Sequence, residues 1–197
     1  MTRKKSHFET PEPILEHLLR FLRFRKMSKY IGINSKVVDV GCGYNGEFLR
    51  SINRKIIAGV GYDISVNHKA QSNTIKLINV DLNNKLLWKG KEKFDLAVSS
   101  AVIEHIENPT HFLSSINGLL KKNGVLLITT PHIRSKKILE YLSMNLGLIS
   151  EGEIADHKQY FDENSLAKVL INTGFQVVEI STFEFGLNIF CLAKRIS

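Results

Sequence analysis

Residues 37–49 read VVDVGCGYNGEFL, and this stretch decides the fold class. An apolar run, typical of a buried β-strand, breaks into glycines and then into the first turn of an expected helix. Gly41, Gly43 and Gly46 have the G-x-G-x-x-G spacing that lets a ligand come close to the backbone. Asp39 precedes them inside the apolar run, so we expect a carboxylate at the mouth of a glycine loop.

Further apolar runs follow and alternate with helical patterns. They are continuously apolar, which is typical of parallel strands covered on both faces. The expected strands are 36–40, 56–62, 75–80, 94–99 and 124–130, and the expected helices are 11–30, 46–52, 65–71, 109–120 and 162–172. Residues 174–195 then form two strands around a turn at 184–186. The order predicts an α/β fold, a Rossmann-like, doubly wound, mostly parallel seven-stranded sheet with a C-terminal antiparallel hairpin.

The composition is that of an ordinary globular protein, with 43% hydrophobic and 23% charged residues. The length and the absence of a linker predict one domain over residues 1–197. Because no apolar stretch approaches the roughly 18 residues of a membrane span and the N-terminus lacks a signal-peptide core, we expect a cytoplasmic protein. Cys42 and Cys191 are expected to be reduced and buried. No metal site is expected.

The net charge of +8 is concentrated at the N-terminus. Residues 1–36 carry nine basic and three acidic side chains. A basic helix within residues 1–35 would suit a nucleic acid or an anionic membrane. The alternative is the solvated face of an ordinary helix with a frayed terminus.

Three carboxylates mark three successive expected strands. Asp39 lies in the first strand, Asp63 ends the second and Asp81 ends the third. Because the carboxyl ends of parallel strands meet at one edge, we expect these side chains to border a single crevice. A carboxylate near the glycine turn repels a pyrophosphate and attracts an ammonium group, which favours S-adenosylmethionine (SAM) over a dinucleotide. The alternative role for Asp63 and Asp81 is to cap turns.

The same positions suggest how a nucleoside would lie in the crevice. Asp63 could accept both ribose hydroxyls, a feature shared with dinucleotide-binding enzymes. Ile64 could pack on the adenine face. Asp81 could accept from the adenine amino group while the backbone N–H of Leu82 meets the ring.

Beyond single motifs, the chain resembles the class I SAM-dependent methyltransferases of the small single-domain type related to ubiquinone-biosynthesis O-methyltransferases. The matching segments run in the family's order over residues 36–180: VVDVGCGYNGEFL, GYDIS, VDL, FDLAVSSAVIEHIENP, LLKKNGVLLITTPH and HKQYFDENSLAKVLINTGFQVVEI. The resemblance implies a SAM site with the methionine part on the glycine loop and Ser99 under the sulfonium. The expected cofactor-binding residues are Asp39, Gly41, Cys42, Gly43, Asp63, Ile64, Asp81, Leu82 and Ser99.

The resemblance also implies that the loop FDLAVSSAVIEHIENP faces the methyl acceptor. A histidine with a near-neutral pKa could remove the proton of an acceptor hydroxyl there. The candidate catalytic residues are His105 and His157, and the candidate substrate contacts are Glu104, His132 and Tyr160. Packing roles for all five are the alternative. Residues 134–160 are expected to form a lid over the acceptor.

The expected function is transfer of a methyl group from SAM to a small molecule, at a hydroxyl or an amine, by in-line displacement. An RNA or protein methyltransferase that uses the basic N-terminal segment is one alternative. A non-catalytic SAM-binding protein and an NAD-dependent oxidoreductase are the others. The sequence does not identify the acceptor or the oligomeric state.

Overall fold

The computed structural model describes residues 14–83, 93–136, 138 and 157–196. Within these ranges the α-helices are α1 (Ile14–Ser28), α2 (Glu47–Ser51), α3 (Pro109–Leu119) and α4 (Glu163–Asn172). The strands are β1 (Ser35–Val40), β2 (Ile56–Asp63), β3 (Ile75–Asn79), β4 (Phe94–Ser100), β5 (Leu120–Pro131), β6 (Phe175–Phe183) and β7 (Asn188–Arg195). None of these helices is long and apolar enough to cross a membrane.

The strands form one seven-stranded sheet in the order β3-β2-β1-β4-β5-β7-β6. β1 to β5 pair in parallel, and β7 runs antiparallel to both β5 and β6. The predicted fold class is therefore confirmed, including the terminal hairpin. The strand order reverses between β1 and β4, and in open α/β sheets ligands bind outside the carboxyl ends of the strands at such a reversal.

Helices cover both faces of the sheet, which explains the continuously apolar strands. Phe112 of α3 and Leu166 of α4 belong to one buried cluster, whereas Met27 of α1 and Phe48 of α2 belong to the other. The side chains along β1 alternate between the two clusters, with Val38 in the first and Val37 in the second. This alternation is the period-2 geometry of a strand.

Two sequence expectations differ from the structure, and a third lies mostly outside the described residues. The helix predicted at 65–71 is wrong, because only a single 3₁₀ turn, His68–Ala70, is present. Its cap is Asn67, whose side chain accepts from Lys69 N–H at 3.1 Å, and Gln71 is already extended. The helix predicted at 11–30 is described from Ile14 and ends at Ser28. Of the predicted lid, residues 137 and 139–156 lie outside the described residues.

Candidate functional site

The glycine loop between β1 and α2 requires glycine where its backbone has a positive φ. Gly41 has a φ of 88°, and a Cβ built there would lie 2.2 Å from Cγ2 of Val102. Gly43 has a φ of 70°, and a Cβ there would meet nothing within 4 Å, so this residue borders open space. The N–H groups of Gly41 and Cys42 both donate to the carbonyl of Tyr62, at 2.8 and 3.1 Å. The loop is thereby held against the end of β2.

Asp63 at the end of β2 is bonded to the glycine loop. Its Oδ2 accepts from Gly43 N–H at 2.9 Å, and its Oδ1 accepts from Ser65 N–H at 3.5 Å. The Asp63 carboxylate therefore caps these turns, which was the alternative role. It is also the group that the sequence predicted to contact the ribose. The adjacent Ile64 is exposed, and its carbonyl accepts from Asn79 Nδ2 at 3.2 Å.

Asp39 lies behind the glycine loop rather than at its mouth. The residue pairs with Gly61 on one side and Val98 on the other, and only 2% of its surface is exposed. Burial raises the pKa of Asp39 to about 8, with a further contribution from the negative charge of Asp63. A pKa of about 8 favours the protonated carboxyl at pH 7. The sequence argument assumed an ionised Asp39, whereas its burial favours the neutral form.

Cys42 and Ser99 sit deeper in the same region. Cys42 is buried and free of disulfide bonding, as is Cys191. Burial raises the pKa of the Cys42 thiol, so the thiol remains protonated. It donates to the carbonyl of Gly43, with Sγ 3.3 Å from the oxygen. Ser99 in β4 is completely buried, and its Oγ has no hydrogen-bond partner among the described residues.

Asp81 and Leu82 follow β3 and face the loop after β4. Asp81 is exposed, and its Oδ1 accepts from Asn83 N–H at 3.0 Å. Oδ1 of Asn83 in turn accepts from Glu107 N–H at 2.9 Å, which joins the two loops. Leu82, Ile106 and their neighbours line a cavity of about 160 Å³ between these loops. Asp81 and Leu82, two of the three predicted adenine contacts, therefore lie at the edge where the crevice was expected.

Glu104 joins the loop after β4 to the segment that precedes α4. The residue is 1% exposed, and its Oε2 accepts from Thr130 Oγ1 at 3.0 Å. Its carbonyl accepts from the N–H groups of Lys158 and Gln159, at 2.8 and 3.3 Å. Burial raises the pKa of the Glu104 carboxyl, against the opposing charge of His105. In this arrangement Glu104 supports the loop from within.

The two candidate catalytic histidines come together although they are far apart in sequence. The rings of His105 and His157 meet edge to face with centroids 4.8 Å apart. Nδ1 of His157 lies 3.0 Å from the hydroxyl of Tyr160, and the ammonium of Lys136 lies 5.5 Å from the Tyr160 ring. Ligand atoms of Glu104, His105 and His157 all lie within 4.8 Å of one another, a spacing that could hold a metal ion. The sequence spacing of these residues did not suggest such a group.

His132 at the end of β5 is already engaged at both ring nitrogens. Nδ1 accepts from Arg134 N–H at 2.9 Å, so the neutral ring carries its proton on Nε2. Nε2 then donates to Oε2 of Glu163 at 3.1 Å. The backbone N–H of His132 also donates to the carbonyl of Leu187. His132 thus ties β5 to α4 and to the hairpin, and its ring is buried.

Sequence reasoning missed Arg23, which lies on α1 within the basic N-terminal segment. Its Nε is buried and has no hydrogen-bond partner among the described residues. Burial raises the pKa of Glu184, and the positive charge of Arg23 opposes that shift. The charge of Arg23 also lowers the pKa of Glu104, but its effect is smaller than those of burial and of the charge of His105. Nothing in the helical pattern separates this arginine from the other cations of α1, so only the tertiary structure shows that its charge acts on these two carboxylates.

The chain has relatives among known proteins. A family profile described as "Methyltransferase domain" matches residues 9–180. A ubiquinone biosynthesis O-methyltransferase of Pelagibacter ubique is 29% identical over 123 residues, which are 59% of this chain and 50% of that protein. The chain therefore spans about half the length of that relative. The corresponding enzyme of Coxiella burnetii is 25% identical over 199 residues, covering 92% of this chain and 82% of that protein.

Solved structures share the fold. An S-adenosylmethionine dependent methyltransferase from Mesorhizobium loti superposes with a TM-score of 0.67. The match covers 89% of this chain and 97% of that one at 17% sequence identity. At this identity the likeness concerns the arrangement of the sheet and helices.

Proposed function

The chain belongs to the methyltransferase domain family and has the class I SAM-dependent methyltransferase fold, and on this premise we propose that it methylates a small molecule with SAM as the donor. The observation that carries the proposal is the glycine loop, with Asp63 bonded to Gly43 and Asp39 buried behind them. Two relatives are named as O-methyltransferases, and this favours a hydroxyl acceptor over an amine.

The residues present fit SAM better than a dinucleotide. When bound, SAM supplies a methyl group on a sulfonium and carries an ammonium group. Burial and the charge of Asp63 disfavour a second negative charge on Asp39. The ammonium group of a ligand would stabilise ionised Asp39, whereas a pyrophosphate would be repelled by the carboxylates. The open space beside Gly43 leaves room for the ligand. Asp39, Gly41 and Gly43 would hold the methionine part, and Asp63 the ribose.

The remaining proposed contacts lie along the same edge. Ile64, Asp81 and Leu82 would surround the adenine, and Cys42 and Ser99 would form the floor of the site. Residues 134–160 would close over the acceptor, within one domain comprising residues 1–197.

Proton removal from an acceptor hydroxyl would fall to the histidine pair. If Nδ1–H of His157 donates to the Tyr160 hydroxyl, Nε2 is the atom that accepts the proton. His105 packs against this ring and would hold it in place or accept the proton itself. The displacement at the methyl group needs only correct alignment, since the sulfonium is a good leaving group. Proton removal by a positioned base contributes about 10²- to 10⁴-fold.

Calorimetry with S-adenosylhomocysteine tests the cofactor assignment. We expect binding by the unaltered protein and a loss of about 10- to 100-fold for Asp63→Asn, because about 1.5 to 3 kcal/mol of charged hydrogen bonding is removed. Asp95→Asn is the matched control, since Asp95 also accepts from a backbone N–H, that of Lys36 at 2.8 Å, and should leave the affinity unchanged. Binding of NAD but not of S-adenosylhomocysteine would overturn the proposal.

Labelled SAM tests the acceptor class. We expect the label to enter small molecules of the metabolite fraction when metabolite, RNA and protein fractions are offered separately. Label in RNA or protein would replace the small-molecule proposal with a macromolecular acceptor. S-adenosylhomocysteine binding without transfer to any fraction would leave a non-catalytic SAM-binding protein.

A further inference from the structure

Helix α1 is anchored to the sheet through its inner face. Phe24 packs edge-on against Phe48 with ring centroids 5.1 Å apart, and Tyr30 just after the helix stacks on Phe190 at 5.2 Å. Lys26 is also held inward, 3.3 Å from the carboxylate of Glu179. These contacts fix the rotation of the helix. The side chains on its other face are therefore held outward.

The outward side chains form a stripe that is part apolar and part cationic. We define the outer stripe of α1 as Leu18, Phe21, Leu22, Arg25 and Lys29, the last just beyond the helix end. Residues at this spacing lie along one side of a helix. Leu18 and Phe21 are 52% and 60% exposed, and Arg25 and Lys29 are exposed as well. The stripe therefore places two large exposed apolar side chains beside two exposed cations.

The turn between β6 and β7 lies alongside this stripe. Arg25 and Lys29 border a groove of about 210 Å³, and the opposite wall of the groove is Phe183 and Glu184. Phe185 follows directly and is fully exposed at the tip of the turn. The helix and the turn thus present neighbouring aromatic side chains and cations on one side of the molecule.

We propose that the outer stripe of α1 and Phe185 dock on an anionic phospholipid surface. Leu18, Phe21 and Phe185 enter the boundary between headgroups and acyl chains while Arg25 and Lys29 meet lipid phosphates, which is how basic amphipathic helices bind membranes. Charge complementarity supports this partner, since Arg25 and Lys29 are exposed on the stripe and border the groove beside it. An aliphatic leucine has no ring face to stack on a base, so lipid is favoured over nucleic acid. The inference goes beyond methyl transfer and does not depend on it.

Vesicle co-sedimentation tests the charge contribution. We expect the protein to bind vesicles of phosphatidylcholine mixed with phosphatidylglycerol, to ignore pure phosphatidylcholine, and to dissociate as salt is raised. Arg25→Gln with Lys29→Gln should lower binding about 25-fold, at about five-fold per charge. Lys122→Gln with Lys168→Gln is the control with equal charge loss, since both lysines are exposed on other elements, β5 and α4. Equal losses in the two pairs, or no binding to the anionic vesicles, would overturn the proposal.

Substitution of the aromatic side chains separates lipid from nucleic acid. Phe21→Ser with Phe185→Ser removes exposed rings and leaves the charge intact, so we expect an unchanged melting temperature and at least a tenfold loss of vesicle binding. A polyuridylate RNA should not displace the unaltered protein from vesicles at physiological salt. Displacement by the RNA, together with full vesicle binding by the serine variant, would identify the surface as a nucleic-acid site and refute the lipid assignment.

Discussion

Replacing Asp39 by asparagine should make the stability of the protein less sensitive to pH. The pKa of Asp39 is about 8 in the folded protein, chiefly through burial, against an ordinary value of 3.8. At a pH between 3.8 and about 8, Asp39 holds a proton in the folded state that it has released in the unfolded state. The free energy of unfolding therefore falls as pH rises, by about 1.4 kcal/mol per pH unit from this residue alone.

From pH 5 to pH 7 the loss amounts to about 3 kcal/mol. Asparagine resembles the protonated carboxyl in shape but cannot ionise, so the variant escapes the loss. Urea unfolding of both proteins at pH 5, 6 and 7 measures the effect as a difference, in which the other titrating groups cancel. We expect Asp39→Asn to gain about 3 kcal/mol on the unaltered protein between pH 5 and pH 7.

Asp95→Asn is the control for this series. Burial by itself would raise the pKa of Asp95, but the hydrogen bonds and charge of Lys121 and Lys36 together lower it below its ordinary value. Its contribution is lost only below the ordinary carboxyl range, so its difference from the unaltered protein should stay flat from pH 5 to pH 7. A flat difference for Asp39→Asn as well would mean that Asp39 is ionised in the folded protein, and the reasoning from burial would fail.

The remaining predictions concern the loop and the histidines. S-adenosylhomocysteine binding should release a proton from Asp39 below pH 8, seen as a buffer-dependent calorimetric enthalpy; equal enthalpies in phosphate and Tris would contradict this. His157→Gln should lower methyl transfer about 10²- to 10⁴-fold with cofactor affinity unchanged, and an unaltered rate would remove His157 as the base. Gly41→Ala should destabilise the protein by more than about 1 kcal/mol, since its Cβ would meet Val102 at 2.2 Å. Gly118→Ala is its control in thermal unfolding, because Gly118 lies in α3 with nothing near the added Cβ.

The sequence was sufficient wherever a feature depends on residues close together in the chain. The apolar run and the glycines of residues 37–49 predicted β1 and the loop, and the pattern of Asp162 to Ser165 predicted the start of α4, where a capping box is present. The helix predicted at 65–71 was wrong because part of what decides this stretch lies outside it in the chain. Its helical pattern competed with the Asn67 cap and with a bond from Leu77 N–H to Gln71 at 3.1 Å, a partner that only the sheet supplies.

The sequence by itself determined the α/β class, the glycine loop and the three carboxylates at successive strand ends, because local periodicity and turn chemistry are written in neighbouring residues. Only the tertiary structure decided the charge state of Asp39 and the pairing of His105 with His157. A pKa depends on burial and on charges carried by other strands, and a ring contact depends on where two distant loops meet. Neither the raised pKa nor the ring contact exists until the chain has folded.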